Sequence, residues 1–347
     1  MSISLQETRV SFRQGTDSLL RRRLLHSRVF RVVCLLLTYS SLGILGILMG
    51  SVFWSSLSRL APDFLSNHYS MNPVRCGILA GIWGSFWLVM LTAAFSIPIG
   101  VGSAVYLEEM ASDTWLVRLI RINLSNLAGV PSIVYGILGL SAFRPLMLSL
   151  QTVFDGTRVV NVMGLFRVRI LHLEIFDGSV LIGAMTMSLV ILPIVIIASQ
   201  EALRAIPSSI RVASLALGAT RWQTIWRQVI PAALPGIATG VILAVSRAIG
   251  EAAPIMMIGV LTVASMCPGG IETPLQMLQD PTRLIAVPFD QFTAMPVEIY
   301  DWSKQPDPQD RFTAVAAAGI VVLLLVLLLI NAAAMIVRAR AGRNTQW

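Results

Sequence analysis

The chain has 347 residues, 55% of them hydrophobic and only 13% charged, with a mean hydropathy of +0.75. That composition excludes an ordinary soluble globular protein and indicates one that crosses a membrane several times. The net charge of +8 is no nucleic-acid signature: Lys304 is the sole lysine, and the arginines gather at the ends of apolar runs.

Arg9, Arg13, Arg21, Arg22, Arg23, Arg28 and Arg31 crowd the N-terminal stretch. Residues 1–29 are expected to be a basic cytoplasmic tail, and 30–54 the first span. That run is too long for the core of a secretory signal, and no small-residue cleavage site closes it, so it is expected to stay uncleaved. Further spans are expected at 79–106, 121–142, 179–200, 229–263 and 313–337, within a transmembrane domain of residues 30–337. Gly129, Pro131, Gly136 and Gly139 interrupt the third. An even number of spans puts both termini on one side. Arginine at both ends, including Arg338, Arg340 and Arg343 in a second tail at 338–347, makes that side the cytoplasm. The loops at 107–120 and 201–228 share it.

Cys76 and Cys267 both fall on the predicted outer side, where a disulfide is chemically allowed. His26, His68 and His172 are scattered, and no metal site is expected. The outer insert at 145–178 carries a strand signature. Val153-Phe154 and Arg158-Val159-Val160 flank Asp155-Gly156, a hairpin signal, and Phe166–Ile170 and His172–Phe176 alternate. A small antiparallel β element is expected there, with an irregular loop as the alternative.

Residues 206–230 are a polar, strongly patterned stretch between two apolar runs. Pro207-Ser208-Ser209 supplies helix-start signals, with Pro suited to the first turn and Ser hydroxyls to free N–H groups. Gly218 suits a left-handed stop. Thr220 and Gln223 are spaced for a capping box that opens a second helix. On that helix Trp222, Ile225, Trp226, Val229 and Ile230 fall on one apolar face. A bent amphipathic hairpin between two spans suits docking to a soluble partner; the alternative is an interfacial helix lying on lipid.

In the fifth span Arg247 and Glu251 are four residues apart, on one helix face. A guanidinium in mid-bilayer costs about 2.5–3.5 kcal/mol on insertion scales, so it should face the bundle interior or a watery path. Spacing alone supports two readings equally. One is a self-neutralising pair that ties helices together. The other is a cationic station for an anion, with Glu251 fixing the planar fork. Beyond it, the Pro-rich outer loop at 264–312 holds seven acids against three bases. Tyr300 and Trp302 near its end read as interface anchors.

The run Val212-Ala213-Ser214-Leu215-Ala216-Leu217-Gly218, closed by Val229-Ile230-Pro231, resembles the loop by which permeases of ABC transporters engage their ATPases. Val212 stands where that pattern has an acid, and Gln228 where it has an apolar residue, so Val212 offers no charge. Arg247-x-x-Gly250-Glu251-Ala-Ala-Pro254 resembles an element of the PstA-type permease of bacterial phosphate ABC importers. So do Asn126–Gly136, Gly102–Glu109, Pro193–Arg204 and, in the outer loop, Ala294–Trp302. The likeness runs from about residue 80 to the end, apart from the insert.

The resemblance implies an all-α polytopic membrane protein with six transmembrane helices and the type I ABC importer permease fold. It implies a PstC-type partner permease, two PstB-type ATPase subunits carrying ATP and Mg, a PstS-type phosphate-binding protein outside, and the bacterial inner membrane. Arg247 and Glu251 would line the phosphate path; Ala213, Ser214, Gly218, Arg221 and Trp222 would meet the ATPase. The chain lacks a G-x-x-x-x-G-K-[ST] loop, so it is expected to bind no cofactor and to be no enzyme itself. Alternatives are the PstC-type subunit, a permease for sulfate or molybdate, a gradient-driven transporter, for which no inverted repeats appear, and a membrane scaffold.

Overall fold

In lipid the backbone has no water to bond with, so long apolar runs close their hydrogen bonds internally as helices. The computed structural model describes residues 2–154, 160–162, 166–168, 178–306 and 311–342. Among them, six helices are long and apolar enough to cross a membrane: His26–Ser56, Leu79–Met110, Ser132–Ser149, Val180–Arg204, Arg221–Gly250 and Arg311–Ile336.

The chain divides into two units near Ser55. The first is a single helix, α1 (Ser2–Ser56), so the expected basic tail is helical from its start. The second begins with α2 (Pro62–Ser66) and α3 (Leu79–Val105), which runs on into a π turn at Tyr106–Met110. Next come α4 (Trp115–Leu127) and α5 (Ser132–Phe154). The expected third span at 121–142 is therefore two helices. Pro131, which has no N–H to donate, lies in the break, and the Tyr135 hydroxyl donates to Leu127 O across it at 2.7 Å.

The insert differs from expectation. Val153 and Phe154 end α5 rather than starting a strand, because the apolar run before them carries the helix on. A short antiparallel pair does form, between β1 (Val160–Val162) and β2 (Phe166–Val168), with Asn161 opposite Arg167. The Asp155-Gly156 signal and the alternating 172–176 stretch lie outside the described residues.

The remaining elements are α6 (Val180–Arg204), α7 (Ser208–Ala216), α8 (Arg221–Thr224), a π turn at Ile225–Val229, α9 (Ile230–Gly250) and α10 (Ala253–Met257). Then follow α11 (Pro274–Gln279), α12 (Arg283–Ala286), α13 (Met295–Lys304) and α14 (Arg311–Gly342). The helix of the expected fifth span at 229–263 begins earlier, at Arg221, and stops at Gly250.

Helix α6 is the most buried span and packs on α3, α5 and α9. Its Met187, Ile191 and Val195 sit in the main core with Leu88, Ala244 and Phe292. Small residues let α9 approach it: a Cβ on Gly236 would stand 2.8 Å from the Ala202 Cβ. A second cluster joins Phe64, Tyr69, Cys76 and Ile78 to Met295, Trp302 and Phe312. Trp302 is fully buried there, not an interface anchor, because it stacks on Tyr69 with centroids 6.1 Å apart. Tyr300 is exposed, with the Lys304 ammonium 4.1 Å from its ring centroid. Cys76 and Cys267 are free and buried in separate clusters. Burial pushes both thiols up, and with the charges of Glu272 and Glu298 it takes Cys267 to about 12.

Candidate functional site: the hairpin and the Arg247–Glu251 pair

The chain leaves α6 at Arg204 and turns through Pro207, which takes the N-cap position of α7 at φ −58° and ψ 138°. It lies outside the first turn, and no side chain caps α7. Ser208 and Ser209 are its first helical residues, a change from the expected capping role. The end of α7 follows the glycine signal closely. Gly218, at φ +86°, donates its N–H to Leu215 O at 3.0 Å, and the Ala219 N–H reaches Ser214 O at 3.2 Å. These two bonds form the helix-terminating pair that a left-handed residue permits. The capping box then opens α8: the Gln223 N–H donates to Thr220 Oγ1 and the Thr220 N–H to Gln223 Oε1.

The second arm is not a separate helix. From Arg221 it runs through the π turn into α9, so the hairpin is continuous with the fifth span. The apolar face is also split. Ile225 and Val229 are buried with Leu107, Val117 and Leu203. Trp222 and Trp226 stay exposed and stack on each other, 5.8 Å apart at 15°. The split coincides with the π turn, which underwinds the helix over 225–229. Ala213, Gly218, Arg221 and Trp222 are exposed. Ser214 is half-buried, its hydroxyl 2.9 Å from that of Thr224, which ties the two arms together. Val212 and Leu217 add exposed apolar surface, with Leu217 90% exposed.

The foot of the hairpin is built from residues to which sequence alone assigns no role. Glu108 and Glu109 lie in the π turn that ends α3. Arg204 grips Glu108 with two bonds, of 2.9 and 2.7 Å. Arg211 of α7 grips Glu109 through Nε and Nη2, and its Nη atoms also donate to Leu203 O and Ile206 O. The signal available in sequence was two adjacent acids on the side expected to be rich in arginine.

Arg247 lies in the last turn of α9, and Glu251 is the residue that caps it, in extended backbone. The helix ends at Gly250, between the two residues, so Glu251 lies just beyond the helix rather than on its face as the spacing predicts. A cation in the last turn also complements the carbonyl end of the helix. Arg247 Nε donates to Glu251 Oε1 at 3.1 Å. The Arg247 side chain is 53% exposed and that of Glu251 20%. No other bond holds the guanidinium among the described residues, so both Nη groups and one carboxylate oxygen stay open. Pro254, three residues after Glu251, is the second residue of α10 and lies against Gly136 of α5. The 126–136 and 247–254 stretches, far apart in the chain, therefore meet beside the ion pair.

Comparisons with known proteins agree with this architecture. The family model described as binding-protein-dependent transport system inner membrane component matches residues 96–342. A Bacillus subtilis (strain 168) protein described as "Probable ABC transporter permease protein YqgH" is 33% identical over 200 residues, 56% of this chain and 57% of its own length. The chain thus spans less than two thirds of that relative. The phosphate transport system permease protein PstC of Mesorhizobium japonicum is 31% identical over 258 residues, 72% of this chain and 76% of its own. The phosphate transport system permease protein PstA 1 of Mycobacterium tuberculosis (strain CDC 1551 / Oshkosh) is 31% identical over 182 residues, 52% of this chain and 51% of its own. Among solved structures, a bacterial alginate ABC transporter in complex with its pentasaccharide-bound periplasmic protein superposes with a TM-score of 0.54 at 16% identity, covering 95% of this chain and 98% of that one. That likeness concerns the fold. The chain belongs to the family of binding-protein-dependent transport system inner membrane components and has the type I ABC importer permease fold.

Proposed function

We propose that the chain is the membrane-spanning permease subunit of an ATP-driven inorganic phosphate importer, forming half of the translocation path. The observation that carries this reading is the Arg247 guanidinium. It is held by one nitrogen to Glu251 and open at the other two, on a face that this chain leaves uncovered. An anchored fork with two free N–H edges suits a tetrahedral oxyanion. Relatives named as phosphate permeases support phosphate as that anion. Relatives of both subunit types match at 31% identity. The PstA-type assignment rests on the Gly250-Glu251-Ala-Ala-Pro254 element.

In this reading the uncovered face meets a PstC-type permease, and a PstS-type protein delivers phosphate from outside. Two PstB-type subunits bind ATP and Mg and receive Ala213, Gly218, Arg221 and Trp222 on the exposed side of the hairpin, with Ser214 behind them. The chain itself binds no cofactor and catalyses nothing. It sits in the bacterial inner membrane with both termini in the cytoplasm.

Reconstitution with these partners in liposomes tests the proposal. Phosphate should accumulate only with ATP inside the compartment that holds the ATPases and with the binding protein on the opposite side. Accumulation of sulfate or molybdate in preference to phosphate would contradict the substrate. Uptake driven by an ion gradient without ATP would contradict the class. A chain that assembles with a PstA-type partner rather than a PstC-type one would reverse the subunit assignment.

A further inference from the structure

We propose that the Glu109–Arg211 ion pair is the polar link through which movement of α7, the first arm of the hairpin, reaches α3 and α6. The proposal rests on the reading of the hairpin as the ATPase-docking element. Helix α7 presents most of its surface outward, and among the described residues only two of its side chains make polar ties to the rest of the chain. Ser214 bonds Thr224 and so belongs to the start of the fifth span. Arg211 alone reaches α3 and α6.

The geometry of that reach is rigid. Nε lies 3.2 Å from both Glu109 oxygens, and Nη2 also bonds Oε1. Nη2 donates to Leu203 O at 3.0 Å and Nη1 to Ile206 O at 2.8 Å. One guanidinium thus joins the π turn ending α3, the last turn of α6 and the loop before α7. A planar fork with most of its donors engaged leaves little freedom to swivel. Glu109 is itself buried, and its neighbour Leu107 packs with Leu203 and Val229. Glu108, one residue back, pins Arg204 at the end of α6 and lies 3.9 Å from Arg121 of α4. A push on α7 is therefore delivered to α3 and α6 together. Val212 of α7 and Leu217, its C-cap, are exposed, and Arg211, the one charged side chain of α7, turns to Glu109.

The test uses the assembled transporter with its partner permease, ATPase subunits and binding protein. Glu109→Gln and Arg211→Gln are compared with the unaltered chain for anion transported per ATP hydrolysed and for ATPase subunits recovered with the complex. The transport-to-hydrolysis ratio should fall about 10-fold, within the usual size of a coupling between sites. ATPase recovery should persist, and Arg211→Lys should restore part of the ratio. A ratio equal to that of the unaltered complex in either Gln variant, with only the yield lowered, overturns the proposal, because a merely structural pair would behave so. Should Arg211→Gln not assemble, the ratio in Glu109→Gln, which keeps the side-chain size, decides the matter; should neither assemble, a normal ratio in Arg211→Lys overturns the proposal. The ratio is taken with whichever anion the unaltered complex carries. A wrong assignment of phosphate would show in that complex and leave the comparison intact. Failure of the unaltered chain to recover ATPase subunits would instead remove the docking reading.

Discussion

Gly136 of α5 lies directly against Pro254 of α10: a Cβ added to Gly136 would stand 2.8 Å from the Pro254 Cα and carbonyl oxygen. The contact is with backbone, which cannot swing aside as a flexible side chain would. It fixes where the chain turns after Glu251, and so where the Arg247–Glu251 pair is presented. Gly136→Val should overpack this contact at a cost of about 1–3 kcal/mol. Gly102→Val, where nothing lies within 4 Å of the added Cβ, is the control. Thermal unfolding of the purified chain should show a lowered midpoint for the first and little change for the second. Equal midpoints would sink the packing argument.

Gly218 should tolerate Asn but not Val. At φ +86° a β-branched residue is strained by about 1–2 kcal/mol, whereas Asn visits this region more readily. The strain falls on the two bonds that end α7. Gly218→Val should reduce recovery of ATPase subunits and uptake together, and Gly218→Asn should leave most of both. Unchanged uptake and ATPase stimulation in Gly218→Val would show that this turn is not part of the docking element.

Glu298 is fully buried on α13 against Gly81 at the start of α3. Burial, with the charge of Asp301 second, pushes its carboxyl well above the ordinary value near 4.5, and the Gly81 N–H offsets this only in part. Cys76, Tyr69 and Trp302 belong to the same packed region. The sign follows from linkage: the folded state holds the proton more tightly than the unfolded one. The contribution of Glu298 to stability is therefore fullest below pH about 4.5 and is lost as pH rises from there through the raised folded value. Glu298→Gln, neutral at every pH, should unfold at a higher temperature than the unaltered chain at pH 8 and show a smaller decline between pH 5 and pH 8. A parallel decline in both proteins would assign the pH dependence elsewhere.

Topology can be checked with cysteines placed at Ile210 and Val160 after Cys34, Cys76 and Cys267 are replaced by Ser. An impermeant thiol reagent applied from outside the cell should reach position 160 and miss position 210. The reverse pattern would invert the orientation read from the arginines.

The legible parts of this molecule share a trait: their signals are local. The capping box at Thr220 and Gln223 and the left-handed Gly218 each lie within a few residues and appear as read; Arg247 and Glu251, four apart, do pair, but with Glu251 just past the helix end. The arms of the Glu109–Arg211 pair are 102 residues apart, so no periodicity could join them. The burial of Trp302 depends on Tyr69 and Phe64, again far away in sequence. Apolar runs revealed the existence of the spans better than their ends. The break before Ser132 falls at Gly129 and Pro131, which interrupt the apolar run, yet a run of apolar residues on both sides still reads as one span. The stop at Gly250 is followed by Ala252-Ala253-Pro254-Ile255, where composition carries little boundary information. Val153 and Phe154 suit strand and helix alike, and continuity with α5 decided for helix.

The central claim is that Arg247 lies on the path of the transported anion. The most direct test is uptake of radiolabelled phosphate per assembled transporter, with assembly measured in the same samples, for the unaltered chain, Arg247→Gln and Arg247→Lys. Arg247→Gln should assemble yet lose most uptake per complex, and Arg247→Lys should recover only part of it, since an ammonium does not reproduce the planar fork. Poor assembly with normal phosphate uptake per surviving Arg247→Gln complex would contradict the account and leave the pair as a tie between helices.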